Sequence, residues 1–77
     1  MSVTAYILVK SNTSEADRVK TEIEAIEGVT GANIVAGDVD FIAKVAVESP
    51  GAVKDVAASG IQTISGVETT QTYIAMA

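Results

Sequence analysis

The chain has 77 residues, no Cys and no His, and a formal net charge of −5 from ten acidic and five basic residues. The absence of Cys excludes disulfides and thiolate metal sites, and the absence of His removes the commonest metal ligand and the commonest general base. The acidic balance argues against nucleic-acid binding, because neutralising phosphates requires Lys and Arg. A single domain of this size hides only about 60–65% of its unfolded surface, so we expect oligomerisation to support it.

The first predicted element is a strand over residues 2–10, which is rich in β-branched and aromatic types. Both alternating faces of this strand carry apolar side chains, so it is expected to be central and covered on both sides. The run is too short to span a membrane, and no charged leader or cleavage site accompanies it. We therefore expect no signal peptide and a cytoplasmic location.

A helix is predicted after this strand, with Ser14 as its N-cap and Asp17 three residues later in a shortened capping box. Apolar residues then recur at spacings of three and four, which is typical of one buried helix face. Gly28 is expected to end the helix as a C-cap. The residues of this apolar stripe are Ala16, Val19, Ile23 and Ile26.

Two strands are predicted next, over residues 30–36 and 41–48, joined by a short segment that contains Gly37, Asp38 and Asp40. Gly followed by Asp supplies the positive φ of a tight hairpin, so the plainest interpretation is a turn. A second interpretation is that the turn also presents carboxylates and backbone N–H groups to a small polar ligand. Local sequence leaves both interpretations open.

A second helix is predicted from Ser49 as N-cap and Pro50 in the first turn to Gly66, followed by a strand over residues 67–76. Gly60 inside this helix is unfavourable by about 1 kcal/mol against Ala, which close packing against a strand or a partner would explain. The predicted apolar stripe consists of Val53, Val56, Ala57, Ile61 and Ile64.

An internal repeat supports this layout. The helix exits at Gly28 and Gly66 are 38 residues apart, and the same offset carries the strand at residues 5–9 onto the strand at residues 43–47. Two strand–helix–strand units in the order βαββαβ predict an α+β, ferredoxin-like fold, in which a four-stranded antiparallel sheet carries both helices on one face. The other face would expose an apolar patch, which predicts a dimer with the two sheets packed together. This patch consists of Tyr6, Leu8, Ile42 and Ala46.

The residues favour binding over catalysis. Asp38 and Asp40 could serve as an acid–base pair, but no nucleophile or oxyanion donor lies nearby in sequence, and the two offer too few oxygens for a calcium ion. A carboxylate can instead pair with the ammonium of an amino acid, and N–H groups of a Gly turn can bind its carboxylate. Hydroxyls of the polar run at residues 69–72 could complete such a pocket, although Thr is also simply a good strand former. We predict no catalytic residue, no cofactor and no metal site.

The chain resembles the effector-binding (RAM) domain of the Lrp/AsnC family of amino-acid-responsive transcription regulators. The most specific similarity is at residues 35–45, where a Gly-Asp-x-Asp segment is followed by Lys44 four residues after Asp40. Residues 4–9, 26–29 and 64–72 resemble the family's first strand and its two Gly-Val helix exits. Glu27 and Ser65 stand where the family has Pro, and Thr69 stands where it has Arg.

The resemblance implies a dimeric α/β barrel that assembles further into a ring, with an effector amino acid in clefts between neighbouring dimers. Carried over residue by residue, it implies that the ligand-binding residues are Gly37, Asp38, Asp40, Thr70 and Thr72. The family's helix-turn-helix domain has no counterpart in residues 1–77, so we expect one ligand-binding domain that does not bind DNA itself. Possible partners are full-length Lrp/AsnC regulators.

Three other interpretations stay open at this stage. The chain could be an interaction protein that co-assembles with full-length regulators without an effector, which the replacement of the family's Arg by Thr69 would suggest. It could be a small dimeric-barrel enzyme, or it could be an amino-acid-binding domain of the ACT type, which has the same strand order. Binding of an amino acid or a related metabolite remains the first prediction.

Overall fold

The fold has four strands and two helical regions in the order βαββαβ, and the computed structural model describes residues 2–76. The strands are β1 (Val3–Ser11), β2 (Val29–Ile34), β3 (Phe41–Val47) and β4 (Val67–Ile74). The helices are α1 (Ala16–Glu24) and α2 (Pro50–Lys54), and α2 continues as a π-helical segment (Asp55–Gly60) and a 3-10 turn (Ile61–Thr63). The predicted ferredoxin-like fold is confirmed.

The four strands form one antiparallel sheet in the order β2-β3-β1-β4. β1 is central, as predicted, and its residue Ala5 pairs with Val45 of β3 and with Ile74 of β4. β1 and β2 both run antiparallel to β3, so they are parallel to each other with a strand of the other half between them. The two strand–helix–strand units are therefore interleaved, which the internal repeat predicted.

The hydrophobic core lies between one face of the sheet and the two helices. Alternate residues of β1, β2 and β3 point into it, because successive side chains of a strand face opposite sides of a sheet. No polar or charged side chain of the described residues is buried. The core residues are Ala5, Ile7, Val9, Val19, Ile23, Ala32, Phe41, Ala43, Val45, Val53, Val56, Ala57 and Ile61, with Ala16, Ile26 and Ile64 packed at its edge.

The two Gly residues of the repeat occupy equivalent positions in the fold. Gly28 has φ +100° and Gly66 has φ +99°, a left-handed conformation that side chains disfavour. A Cβ added at Gly28 would lie 2.8 Å from Cγ1 of Val47, and one at Gly66 would lie 2.7 Å from Cγ2 of Thr13. Both positions therefore require Gly for two reasons: the backbone is left-handed, and the neighbouring side chains leave no room for a Cβ.

The start and the end of α1 differ from the prediction. Glu15, and not Ser14, occupies the N-cap position, and no side chain caps the helix. The hydroxyl of Thr13 instead accepts a hydrogen bond of 3.1 Å from the N–H of Glu15. The helix ends at Glu24, and residues 25–28 form turns that lead into β2.

Arg18 connects α1 to the start of β4. Its guanidinium donates to the carboxylates of Glu15 and Glu22 and, at 2.9 Å, to the backbone carbonyl of Ser65. The hydrogen bond to Glu22, followed by that to Glu15, raises the pKa of Arg18 above its already high ordinary value. Arg18 is therefore charged at neutral pH.

The second helix starts as predicted and then changes its winding. The hydroxyl of Ser49 accepts a hydrogen bond of 3.2 Å from the N–H of Ala52, and Pro50 occupies the first turn. The helix then widens into the π-helical segment, which the sequence did not predict. A Cβ added at Gly60 would lie 3.1 Å from Cδ1 of Ile26, so its close neighbour is the turn that follows α1.

The sheet face opposite the helices, called the open face below, carries the predicted apolar patch. Tyr6 is 40% exposed and pairs across the strands with Tyr73, which is 51% exposed. Leu8 and Ile42, which face each other on β1 and β3, are half-buried. Nothing in one copy of the chain covers this surface among residues 2–76.

The helices are short. Within the described part of the chain, none combines the length and the apolar character that are needed to cross a bilayer.

Candidate functional site

The predicted turn between β2 and β3 is a six-residue loop, residues 35–40. The predicted hairpin is present, since β2 pairs antiparallel with β3 up to Ile34 and Phe41, but its connection is longer than a two-residue turn. The N–H of Val35 donates to the carbonyl of Asp40 at 2.9 Å, and this bond closes the base of the loop. Gly37 lies at the exposed tip with a nearly extended backbone, φ +158°.

Asp40 fixes the loop to the end of β1. Its N–H donates to the carbonyl of Val9 at 2.9 Å, and its Oδ2 accepts a hydrogen bond of 2.8 Å from the N–H of Ser11. Asp40 is half-buried in this arrangement. Oδ2 is thus engaged in holding the loop, whereas Oδ1 accepts no hydrogen bond from residues 2–76.

Asp38 is in the opposite situation. Its side chain is exposed and accepts no hydrogen bond from any residue between 2 and 76. Over the same part of the chain, the N–H groups of Gly37, Asp38 and Val39 donate no hydrogen bond. One free carboxylate beside three free N–H groups offers a partner for an ammonium and partners for a carboxylate at one loop tip.

Thr70 and Thr72 lie on β4, opposite Val9 and Ile7 of β1. Because Val9 and Ile7 are buried on the helix side of the sheet, both Thr side chains also face the helices. Thr69 pairs with Lys10 and therefore faces the open side. The departure from the family pattern at Thr69 thus lies on the other face of the sheet from Thr70 and Thr72.

These two Thr residues line a groove of about 320 Å³ between α2 and β4, called the α2–β4 groove below. Its apolar lining includes Val53, Ala57 and Ile74. Val53 and Ala57 are buried core residues, whereas Ile74 is 41% exposed at the wall. A groove of this volume is at the lower end of the range of small-molecule pockets, which is about 300–1,000 Å³.

The polar lining of the α2–β4 groove comes from Lys54, Gln62, Thr70 and Thr72. Gln62 donates from Nε2 to the carbonyl of Glu68 at 3.2 Å, and its Oε1 accepts from the hydroxyl of Thr70 at 3.3 Å. Lys54 forms no ion pair with any of the described residues. The groove therefore has one unpaired cation and no carboxylate in its lining.

Within one protomer, the five predicted residues form two separate sets. Gly37, Asp38 and Asp40 belong to the 35–40 loop at the β3 side of β1, and the two Thr residues lie on its β4 side. Two strand spacings, roughly 9–10 Å, separate the sets across the sheet. The structure of one protomer therefore places the two sets on either side of β1 and not in one pocket.

Three residues that line the α2–β4 groove, Lys54, Gln62 and Ile74, were not among the site residues predicted from the sequence. Lys54, Ala58 and Gln62 recur every four residues beside the apolar stripe of the second helix. This spacing places the three residues along one edge of a helix, and it is the sequence feature from which a common surface could have been predicted. Ile74 lies two residues after Thr72, so strand alternation places its side chain on the same face of β4 as those of Thr70 and Thr72. Among residues 2–76, no group of three or more His, Cys, Asp or Glu side chains is placed to hold a metal.

Comparison with known proteins agrees with this architecture. The sequence model of the Lrp/AsnC ligand binding domain matches residues 4–77. A crystal structure of a protein from Thermus thermophilus is 27% identical with a TM-score of 0.91, covering 97% of this chain and 94% of that one. Escherichia coli AsnC is 25% identical with a TM-score of 0.88, covering 97% of this chain and 51% of AsnC.

A third structure, a transcriptional regulator from Neisseria meningitidis in complex with L-Met, shares the fold at 14% identity with a TM-score of 0.82. The match covers 97% of this chain and 50% of the regulator. The chain thus spans nearly all of the Thermus protein but about half of the other two proteins. No curated protein gives a significant match to the chain.

Proposed function

The chain belongs to the Lrp/AsnC ligand-binding domain family, and on that premise we propose that it binds an amino acid or a related small metabolite and thereby modulates transcription regulators. The domain family is regulatory, and this supports a binding module over an enzyme. The observation that carries the proposal is the tip of the 35–40 loop, where the free carboxylate of Asp38 lies beside three free N–H groups. An α-amino acid presents the complementary ammonium and carboxylate.

We propose that the effector site is shared between protomers. Gly37, Asp38 and Asp40 of one protomer would bind the charged groups of the ligand, and Thr70 and Thr72 of another would face its remainder. The support for this proposal is the separation of the two sets by β1 within one chain. A site of this kind couples ligand binding to assembly, because each ligand bridges two copies.

The proposed assembly starts from a homodimer in which two open faces pack against each other. The half-exposed tyrosines Tyr6 and Tyr73 and the neighbouring pair of Leu8 and Ile42 support it, since an uncovered apolar patch of this kind favours association. Higher cyclic assembly would then bring the loops of one dimer to the grooves of the next. Cytoplasmic location remains part of the proposal.

We also propose that residues 1–77 act as one ligand-binding domain that does not itself bind DNA. The five basic residues are outnumbered by ten acidic ones, which is unfavourable for contact with a phosphate backbone. Regulation would then pass through co-assembly with full-length regulators of the family.

Calorimetric titration of the protein with each of the twenty amino acids tests the proposal, with a thermal-shift series as a second readout. L-Met belongs in the first round, since a protein of the same fold was solved with it. We expect heat and a raised melting temperature with a small subset of them. Neither signal with any amino acid would contradict amino-acid binding.

The second candidate is an interaction protein that joins full-length regulators with no effector. The feature that suggested it, Thr69 in place of Arg, lies on the open face and outside the α2–β4 groove. A pull-down of full-length regulators from a ligand-free extract, repeated with the effector, separates the two functions. Capture that is independent of the effector favours this second candidate.

A further inference from the structure

We propose that a second concave surface, called the β3–α2 cleft below, docks a basic segment of another protein, one in which Lys or Arg residues flank an apolar side chain. The cleft has a volume of about 460 Å³ and lies between the turn after α1, the end of β3 and the second helix. It shares no lining residue with the α2–β4 groove, so this inference goes beyond the proposed function.

The floor of the β3–α2 cleft is apolar. Val56 is a core residue, and Val47 is half-buried and packs against the core. Gly28 lies against both, since a Cβ added there would be 2.8 Å from Cγ1 of Val47 and 3.3 Å from Cγ2 of Val56. Ala46 and Ala52 complete the apolar lining with small side chains, which leaves the cleft open. An apolar side chain of a partner would therefore lose contact with water when it is placed on this floor.

The rim of the cleft is acidic, and its lining contains no basic residue. Glu27 comes from the turn after α1, Glu48 follows β3, and Asp55 begins the π-helical segment. All three side chains are exposed, and none forms an ion pair with any residue between 2 and 76. No three acidic side chains in that range are placed to hold one metal ion together, so the rim favours separate cations.

Separate cations above an apolar floor are what a basic peptide segment provides. Exposed ion pairs are individually weak, because water and salt screen them. A free polyamine would gain little beyond such pairs at the rim. A segment with an apolar side chain between its cations gains the same pairs and covers the floor as well, so the cleft fits a protein partner better.

A second copy of the chain has no such segment to offer. Its closest pair of cations, Arg18 and Lys20, flanks Val19, which is fully buried. Both cations are already in ion pairs on α1. The other three basic residues are isolated in the sequence, at Lys10, Lys44 and Lys54. The occupant that fits the cleft is therefore a different protein.

The cleft lies at the opposite end of β3 from the 35–40 loop. The strand runs from Phe41 to Val47, so roughly 20 Å separates the two surfaces. Ala46 pairs with Thr4 on the open face, so one wall of the cleft borders the proposed dimer interface. Val47 and Val56 instead pack on the core side. A docked segment and an effector at the loop can thus be bound at the same time.

The experiment titrates probes into the whole chain in its native assembly, with isotope-labelled Val, Leu and Ile methyl groups observed by NMR. The probes are the peptides Lys-Lys-Leu-Lys-Lys, Lys-Lys-Ser-Lys-Lys and Glu-Glu-Leu-Glu-Glu, and spermidine. We expect the Leu peptide with Lys residues to shift the methyl signals of Val47 and Val56 and to leave those of Val35 and Val39 unchanged. It should bind at least about threefold more tightly than the Ser peptide, and the acidic peptide should cause no shift.

Two double variants with the same net charge test the rim. Glu27→Gln combined with Asp55→Asn should weaken binding of the basic Leu peptide by about threefold to tenfold, because two exposed ion pairs are lost. Asp17→Asn combined with Glu68→Gln removes two charges elsewhere on the surface and should change the affinity by less than about twofold. All four side chains are exposed, so both variants are expected to fold, which circular dichroism checks.

Several results would overturn the docking site. Equal weakening by the two double variants would show attraction by net charge alone, and equal affinity for the Leu and Ser peptides would remove the role of the floor. Spermidine binding as tight as that of the Leu peptide would make the cleft a site for small cations. Signals of Val47 and Val56 that shift when the peptide-free protein is diluted would show that a second copy occupies the cleft. None of these results affects the proposed function, which the amino-acid titration tests.

Discussion

The carboxylate of Asp40 accepts a hydrogen bond of 2.8 Å from the backbone N–H of Ser11, a residue 29 positions away in sequence. This bond ties the loop between β2 and β3 to the end of the central strand. Together with the bond from the N–H of Asp40 to the carbonyl of Val9, it holds the base of the loop in place while its tip stays open. Asp38, two residues earlier, makes no such contact within residues 2–76, so of the two carboxylates only that of Asp40 holds the loop.

The first prediction concerns this difference. Asp40→Ala should lower the free energy of unfolding by about 1–3 kcal/mol, because it leaves the half-buried N–H of Ser11 without its acceptor. Asp38→Ala should change it by no more than about 0.5 kcal/mol, as for most surface substitutions. Urea unfolding of the two variants measures the difference. Equal stability of the two would show that the Asp40 bond does not hold the loop.

The second prediction concerns the equivalent glycines of the repeat. Gly28→Ala should lower the free energy of unfolding by about 2–4 kcal/mol, because the left-handed backbone disfavours a Cβ and Val47 lies 2.8 Å from where it would be. Gly31→Ala is the matched control, since no atom lies within 4 Å of its added Cβ. Thermal unfolding measures both variants. A Gly28→Ala protein as stable as the Gly31→Ala protein would contradict the account of the repeat.

The third prediction concerns the open face. Leu8→Lys should convert the proposed dimer into a monomer of 7.9 kDa, because it places a charge in the apolar patch that the partner would cover. Thr21→Lys adds the same charge on the exposed face of α1 and should leave the dimer intact. Analytical ultracentrifugation at micromolar concentration distinguishes the two states. A wild-type protein that sediments as a monomer would remove the dimer from the proposal.

The strands and the burial of their faces could be predicted from the sequence. Alternation in residues 3–9 and 41–47 assigned Val9 to the core and Leu8 to the open face, and the repeat at Gly28 and Gly66 fixed the order of the elements. These features were predictable because apolar spacing and left-handed Gly positions are encoded locally.

The parts that failed depend on contacts between distant residues. The bonds of Asp40 to Ser11 and Val9, which hold the base of the loop between β2 and β3, were not predicted because they join residues far apart in sequence. The π-helical segment was missed although Gly60 marked it, since the widening accompanies close packing on Ile26. The face of Thr70 could not be assigned either, because the run of residues 69–72 is polar on both sides and shows no alternation.

The measurement that tests the shared effector site most directly is a mixing experiment. Asp38→Asn has a defective loop and an intact groove, and Thr72→Val has the reverse, so each variant alone should bind the effector weakly. After subunit exchange of an equimolar mixture, an assembly in which each site uses two protomers regains wild-type affinity at about a quarter of its sites. Calorimetry should then show tight binding in the mixture that neither variant shows alone. A mixture that binds no better than its two components would contradict a site shared between protomers.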